Sequence, residues 1–149
     1  MTICSLNLFA QNKNKKEKIC ITAQEYEVYD VVGVGNYQNE TANYPFLEGL
    51  ESQFPNISSE VVADYNEINN KTYLLRCVLK NDQKKKLKTF FGTTVNQNFS
   101  RVGFNKDETE ALVYSSWSGL GNTCESDFFY LTKENDKWTI VKKVMMVIC

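Results

Sequence analysis

FSRVGFNKDETEALVYSSWSGLGNTCESDFFYLTKENDKWTIVKKVMMVI, residues 99–148, decides the fold of this chain. Ser100, Val102 and Phe104 alternate with Arg101 and Gly103. After a turn at residues 105–108, Ala111, Val113 and Trp117 point one way while Leu112 and Tyr114 point the other, which is the period of a strand. A loop at residues 118–124 leads to Phe128 and Tyr130, alternating with Phe129 and Leu131. Glu134, Asn135 and Asp136 have the chemistry of a hairpin turn with positive φ. The closing run sets Trp138, Ile140, Val144, Met146 and Ile148 on one face. Four strands joined by short connections make an antiparallel meander.

Helical signals precede it. T-A-Q-E at residues 22–25 is a capping box, in which Thr22 accepts from the amide of Glu25 and the Glu25 side chain reaches back. A helix follows through Tyr26, Tyr29 and Val32 and stops at Gly33 and Gly35, although the alternation at residues 25–28 also suits a strand. Residues 36–55 read as irregular, with a short helical turn at 46–54. Ser58 is an N-cap, Ile57 can staple onto Val62, and Val61, Val62, Tyr65 and Ile68 form one apolar stripe. Residues 72–79 read as a strand, and Asn81 or Asp82 caps a further helix through Phe91, closed by Gly92. Helices first and strands last give an α+β class, with N-terminal helices covering one face of a C-terminal four-stranded antiparallel meander.

The whole chain has 149 residues, 42% hydrophobic and 23% charged, one domain's worth with a core. Its net charge is −1 at pH 7, so no overall field recruits nucleic acid or anionic membrane. No apolar run approaches the roughly 18 residues of a membrane span. Histidine is absent. That excludes Ser-His and Cys-His nucleophiles, imidazole acid–base catalysis and His-ligated metals.

MTICSLNLFA, residues 1–10, is uncharged and partly apolar, and the polar run NKNKKEK follows at 12–18. The flip reads as the end of a secretory signal peptide cleaved after Ala10, then a polar linker over residues 11–21 and a single domain over 22–149. A short N-terminal strand or helix is the alternative. None of Cys4, Cys20, Cys77, Cys124 and Cys149 forms a CxxC pair, so zinc ribbons and thioredoxin-like motifs are out. Cleavage after Ala10 leaves four cysteines, an even number that an oxidising compartment can pair. Free buried thiols are the other reading.

Residues 99–148 resemble a family of small, mostly exported, uncharacterised bacterial proteins. Its pattern is S-R-V-G-F-N, a turn, A-L-V-Y, a Gly-rich loop, an aromatic strand, L-x-K-x-N-x-K-W-x-I and a closing apolar strand. Here the matches are residues 100–105, residues 111–114, Gly119 and Gly121, Leu131 and Lys133, Trp138 and Ile140. The resemblance implies the meander and a periplasmic or secreted location. It carries no catalytic residue.

Arg101, one of two arginines, can fork onto an anionic ligand or pair with an acid across the sheet, such as Glu110. Gly119 and Gly121 lead into a strand, so they lack the helix N-terminus a phosphate cradle needs. In VGVG at residues 32–35 the third glycine of a dinucleotide fingerprint would fall at Gln38. Asp107, Glu108 and Glu110, and again Glu125 and Asp127, sit in or beside turns where solvent keeps carboxylates ordinary. Lys84, Lys85, Lys86 and Lys88 read as a solvated helix face without stacking aromatics. The sheet carries more aromatics than a small core needs: Tyr114, Trp117, Phe128, Phe129, Tyr130 and Trp138. The reading is therefore a non-enzymatic exported binding domain that meets a protein partner through an aromatic sheet face, at Arg101, Tyr114, Trp117, Tyr130 and Trp138. No catalytic residue, cofactor, metal ligand or nucleic-acid partner is assigned. The rivals are an immunity or inhibitor protein against a toxin or hydrolase, and a His-free carboxylate-dependent hydrolase.

Overall fold

The computed structural model describes residues 16–34, 40–80, 83–86, 96–119 and 121–148. The expected signal segment, Cys4, Gly35, Cys149 and most of the expected third helix lie outside these. In chain order the elements are β1 (Glu17–Ile21), α1 (Ala23–Val32), a 3-10 turn (Leu50–Gln53), α2 (Ser59–Ile68), β2 (Tyr73–Lys80), β3 (Gln83–Lys86), β4 (Asn96–Phe99), β5 (Gly103–Phe104), β6 (Glu110–Ser118), β7 (Cys124–Glu134) and β8 (Lys137–Ile148). The class is α+β.

Local signals place several of these elements. Thr22 and Glu25 complete the capping box of α1, and Gly33 ends it at φ 80° in the left-handed region. Ser58 caps α2 by accepting from the amide of Val61. Asn135 and Asp136, at φ 49° and 59°, make the turn between β7 and β8.

The strands form two sheets. In the smaller, β1 runs parallel to β2 and β3 antiparallel to it. In the larger, the order is β4-β6-β7-β8, with β5 also paired to β6. β4 covers Ser115–Ser118 of β6 and β5 covers Ala111–Leu112, so they form one edge interrupted by Ser100, Arg101 and Val102. Residues 40–42 stitch the sheets together. Glu40 bridges Leu74, the Thr41 amide donates to the Tyr73 carbonyl, and the Ala42 amide donates to the Phe99 carbonyl.

The larger sheet is buried on both faces. Ala111, Val113, Phe129, Leu131 and Trp138 pack with Ile21, Val28, Tyr29 and Leu75. Leu112, Tyr114, Phe128, Tyr130 and Val144 pack on the other side with Phe46, Phe54, Val61 and Tyr65. The two helices therefore lie on opposite faces, not together on one.

Three more expectations are corrected. Residues 83–86 are a strand, not part of a helix, because the β2 edge offers them backbone partners, from Lys80↔Gln83 to Cys77↔Lys86. Glu17–Ile21, read as the end of a linker, is a strand. β8 does not keep its apolar residues on one face. Its register shifts twice against β7, opposite Tyr130/Leu131 and Ser126/Asp127, so Trp138 and Val144 belong to different cores.

Gly103 allows α2 to lie directly against β5. A Cβ there would stand 2.5 Å from Tyr65 Cβ and 2.6 Å from Tyr65 Cα. Gly103→Ala must push helix from strand. Its urea midpoint should fall by the equivalent of about 1–3 kcal/mol, and an unchanged midpoint would contradict this packing.

Candidate functional site

Arg101 emerges where the edge strand bulges. Its Nε donates to Glu25 Oε1 at 3.0 Å, and its guanidinium lies 5.2 Å from the Tyr73 ring centre. Glu25, only 2% exposed, accepts the Thr22 amide with its other oxygen. Asn69 clamps the Arg101 backbone reciprocally, accepting its amide at 2.8 Å and donating to its carbonyl at 3.0 Å. Tyr29 donates to the Ser100 carbonyl, and Ser100 Oγ accepts the Tyr114 amide. Burial alone would lower the affinity of the guanidinium for its proton, yet the Glu25 charge and hydrogen bond raise it on balance. The partner of Arg101 is thus Glu25, not Glu110. Glu110 instead accepts from the Tyr130 hydroxyl at 2.9 Å and the Ser58 amide at 3.2 Å. The S-R-V-G-F-N stretch is accounted for by structure: a bulge, an ion pair, a core valine and a close helix crossing.

The other sequence-derived binding residues do not share a surface. Tyr114 is buried and stacks on Tyr44 with ring centres 4.0 Å apart. Tyr130 is buried on the same face, its phenol pushed up to about 12 by burial and the Glu110 hydrogen bond. Trp138 is buried in the opposite core, beside Phe104. Phe128 and Phe129 are buried as well, so among these six sheet aromatics only Trp117 is exposed. The aromatic surplus fills two cores.

Tyr114 and Trp117 do meet at one feature. A cavity of about 570 Å³ is lined by Thr41, Asn43, Tyr44, Thr72 and Glu40 against Asn98, Tyr114 and Ser116. A second, of about 230 Å³, shares Asn98, Tyr114 and Ser116 and extends to Trp117, Ser118, Glu125 and Ser126. Together they make one groove across the end of the sheet. Sequence reading missed Asn98, Ser116 and Ser126. The available signal was a strand face that turns from apolar to hydroxylic, Leu112 and Tyr114 giving way to Ser116 and Ser118. Comparison with family models, curated proteins and solved structures gives no match. No cluster of three potential metal ligands occurs among the described residues. No described helix is long and apolar enough to cross a membrane.

Glu125 and Asp127 do not behave as ordinary turn acids. Asp127 is 4% exposed, and Lys143 reaches both carboxylates, Asp127 at 3.1 Å. Burial pushes the Asp127 carboxyl up against the pull of Lys143, while hydrogen bonds from Lys143 and Asp127 hold Glu125 down. Asp127 Oδ1 is buried without a hydrogen-bond partner. None of the three cavities described for the protein is lined by Asp127 or Arg101.

Two outcomes follow from this geometry. Arg101→Met leaves Glu25 buried and unpaired, which should cost about 3–5 kcal/mol. Adding Glu25→Gln should recover part of that loss, and strictly additive urea midpoints would show that the pair is uncoupled. Folded Asp127 keeps its proton where the unfolded chain has lost its own. Stability from this group is therefore present at low pH and declines as pH rises through the ordinary Asp range. Asp127→Asn should gain stability relative to the unmutated protein as pH rises through the ordinary Asp range; a parallel pH course would contradict the assignment.

Proposed function

We propose that this chain is a non-enzymatic binding domain of an oxidising, extracytoplasmic compartment, and that its site is the groove running past Tyr44, Asn98, Tyr114 and Ser116. One observation carries the reading: the face of β6 leaves its core after Tyr114, and two cavities meet there, sharing Asn98, Tyr114 and Ser116. A concave feature with a few convergent polar groups is where a ligand is accommodated by default. The compartment rests on cysteine chemistry. Cys20 and Cys124 are both disulfide-bonded, and such bonds persist where thiols are not kept reduced. The resemblance of residues 99–148 to small exported proteins and the apolar-to-polar flip at residues 10–12 support it. Catalysis is the weaker reading. The acids of the groove, Glu40 and Glu125, are ion-paired to Lys16 and Lys143, and Arg101 is engaged by Glu25.

A second reading, an inhibitor or immunity protein, draws on β8. This strand forms one end of the sheet and exposes Val141, Met145, Val147 and Ile148. An apolar edge strand is a template for pairing with another chain.

Alkylation and footprinting separate these readings. In protein taken from the cells that make it, denatured and alkylated without reductant, Cys20 and Cys124 should remain unmodified; alkylation of either removes the exported assignment. Oxidative footprinting against an envelope extract of those cells should protect Tyr44 and Trp117 and leave Met145 labelled. Protection of Met145 alone would transfer the interaction to β8. Unchanged labelling everywhere would remove the binding role.

A further inference from the structure

We propose that residues 145–148 of β8 are a detachable strap, which opens as a unit and uncovers the edge of β7 while the rest of the sheet stays closed. Three observations meet at one step of the ladder. The register shifts between Ser126 and Asp127: Asp127 pairs with Met145 and Ser126 with Val147, so Met146 is the extra residue of a bulge. At that step Ser126 Oγ and Asp127 Oδ1 are both buried without a hydrogen-bond partner. Successive residues of a strand point to opposite faces, so the two orphaned atoms lie on both sides of the sheet.

Burial changes at Val144. Trp138 is buried in one core and Val144 in the other, which anchors the body of the strand. Lys143 adds a tether by reaching Glu125 and Asp127 of β7. Beyond Val144, among the described residues, only Met146 packs against a core, and it is half-buried. Met145, Val147 and Ile148 are 49%, 48% and 68% exposed, so detaching them uncovers little further apolar surface.

Closed, the strap seals two polar atoms from water and leaves them unpaired, which is unfavourable. Open, water reaches both. The losses are a few ladder hydrogen bonds at an edge, whose groups are then solvated as well, and the contact of Met146. Segments with few buried apolar contacts are where proteins open at a free energy below that of global unfolding. Opening frees the main chain of Glu125, Ser126 and Asp127 on one side, and such an edge can accept an extended segment. Val147 also lines the smaller cavity of the groove, so its departure opens that wall. The strap does not rest on the binding reading, because its movement is measured without a ligand.

Hydrogen exchange of the full chain, with its disulfides intact, reads the opening. Protected amides at residues 145–148 should exchange faster than those at 137–144. Ser126→Ala removes one orphaned atom from the closed state, so it should slow exchange at 145–148 about tenfold. Met146→Ala removes the core contact of the strap and should speed that exchange. Exchange at 145–148 as slow as at 137–144 would show that β8 opens only with the whole sheet, and would overturn the proposal. An unchanged rate at 145–148 in Ser126→Ala would overturn it too, since fraying of the strand end alone does not uncover Ser126.

Discussion

The ion pair between Glu25 and Arg101 is the constraint on which the rest of the architecture depends. A carboxylate 2% exposed is costly to bury unless every lone pair is engaged. Here one oxygen takes the Arg101 Nε and the other takes the Thr22 amide. The residue that closes the capping box of α1 is therefore also the counter-ion of the sheet edge. Arg101 can reach it only because the edge strand leaves the ladder between Phe99 and Gly103. Asn69 fixes that departure from the end of α2, and Tyr29 fixes it from α1. Two helices on opposite faces of one sheet are thus tied to the same bulge. Buried pairs of this kind add little net stability against an apolar replacement, but they penalise every arrangement that separates the partners. The pair selects one register for β4 and β5 and one docking angle for α1.

Burial on both faces has consequences for the strands. β6 and β7 cannot alternate greasy and wet residues along their middle, and Ala111, Leu112, Val113 and Tyr114 are all buried in succession. Two thin cores share one sheet, so each is filled with large rings: in one of them Phe128 packs edge to face with Phe46 and Tyr65, and Phe54 with Tyr130. At the sheet's outer strand the demand for two-sided burial ends, and β8 takes two irregularities in register that re-aim its side chains. Its exposed Val141, Met145 and Val147 lie in this stretch.

What the sequence revealed was local. The Thr22–Glu25 box, the Ser58 cap, the Asn135–Asp136 turn and the alternation through β6 each lie within a few residues, and all are found where their chemistry puts them. What it hid was non-local. Glu25 and Arg101 are 76 positions apart, and nothing in either neighbourhood names the other. The lysine run at 83–86 has the composition of a helix face, and ladder partners on β2 override it. The five residues EKICI of β1 are too short and too mixed to stand out from the polar run before them. The groove was illegible for another reason. Asn98, Ser116 and Ser126 are common surface residue types with no fixed spacing, and only the pairing of three strands brings them abreast.

Where the groove falls is a matter of coverage. Phe46, Leu50, Phe54 and α2 lie over the second face of the sheet, and Tyr44 marks the end of that cover by stacking on Tyr114. The next residue on the same face, Ser116, faces the cavities instead of a core. A strand face that leaves a core must become polar at that step, so hydroxyls on the floor would be expected even without a ligand. The hydroxyl of Ser126 does not fit that explanation. It is shielded from water yet given no protein partner, so solvation cannot account for it. An Ala at 126 would fill nearly the same space without an orphaned polar atom. The serine is therefore a feature of the groove wall that neither solvation nor a protein hydrogen bond explains.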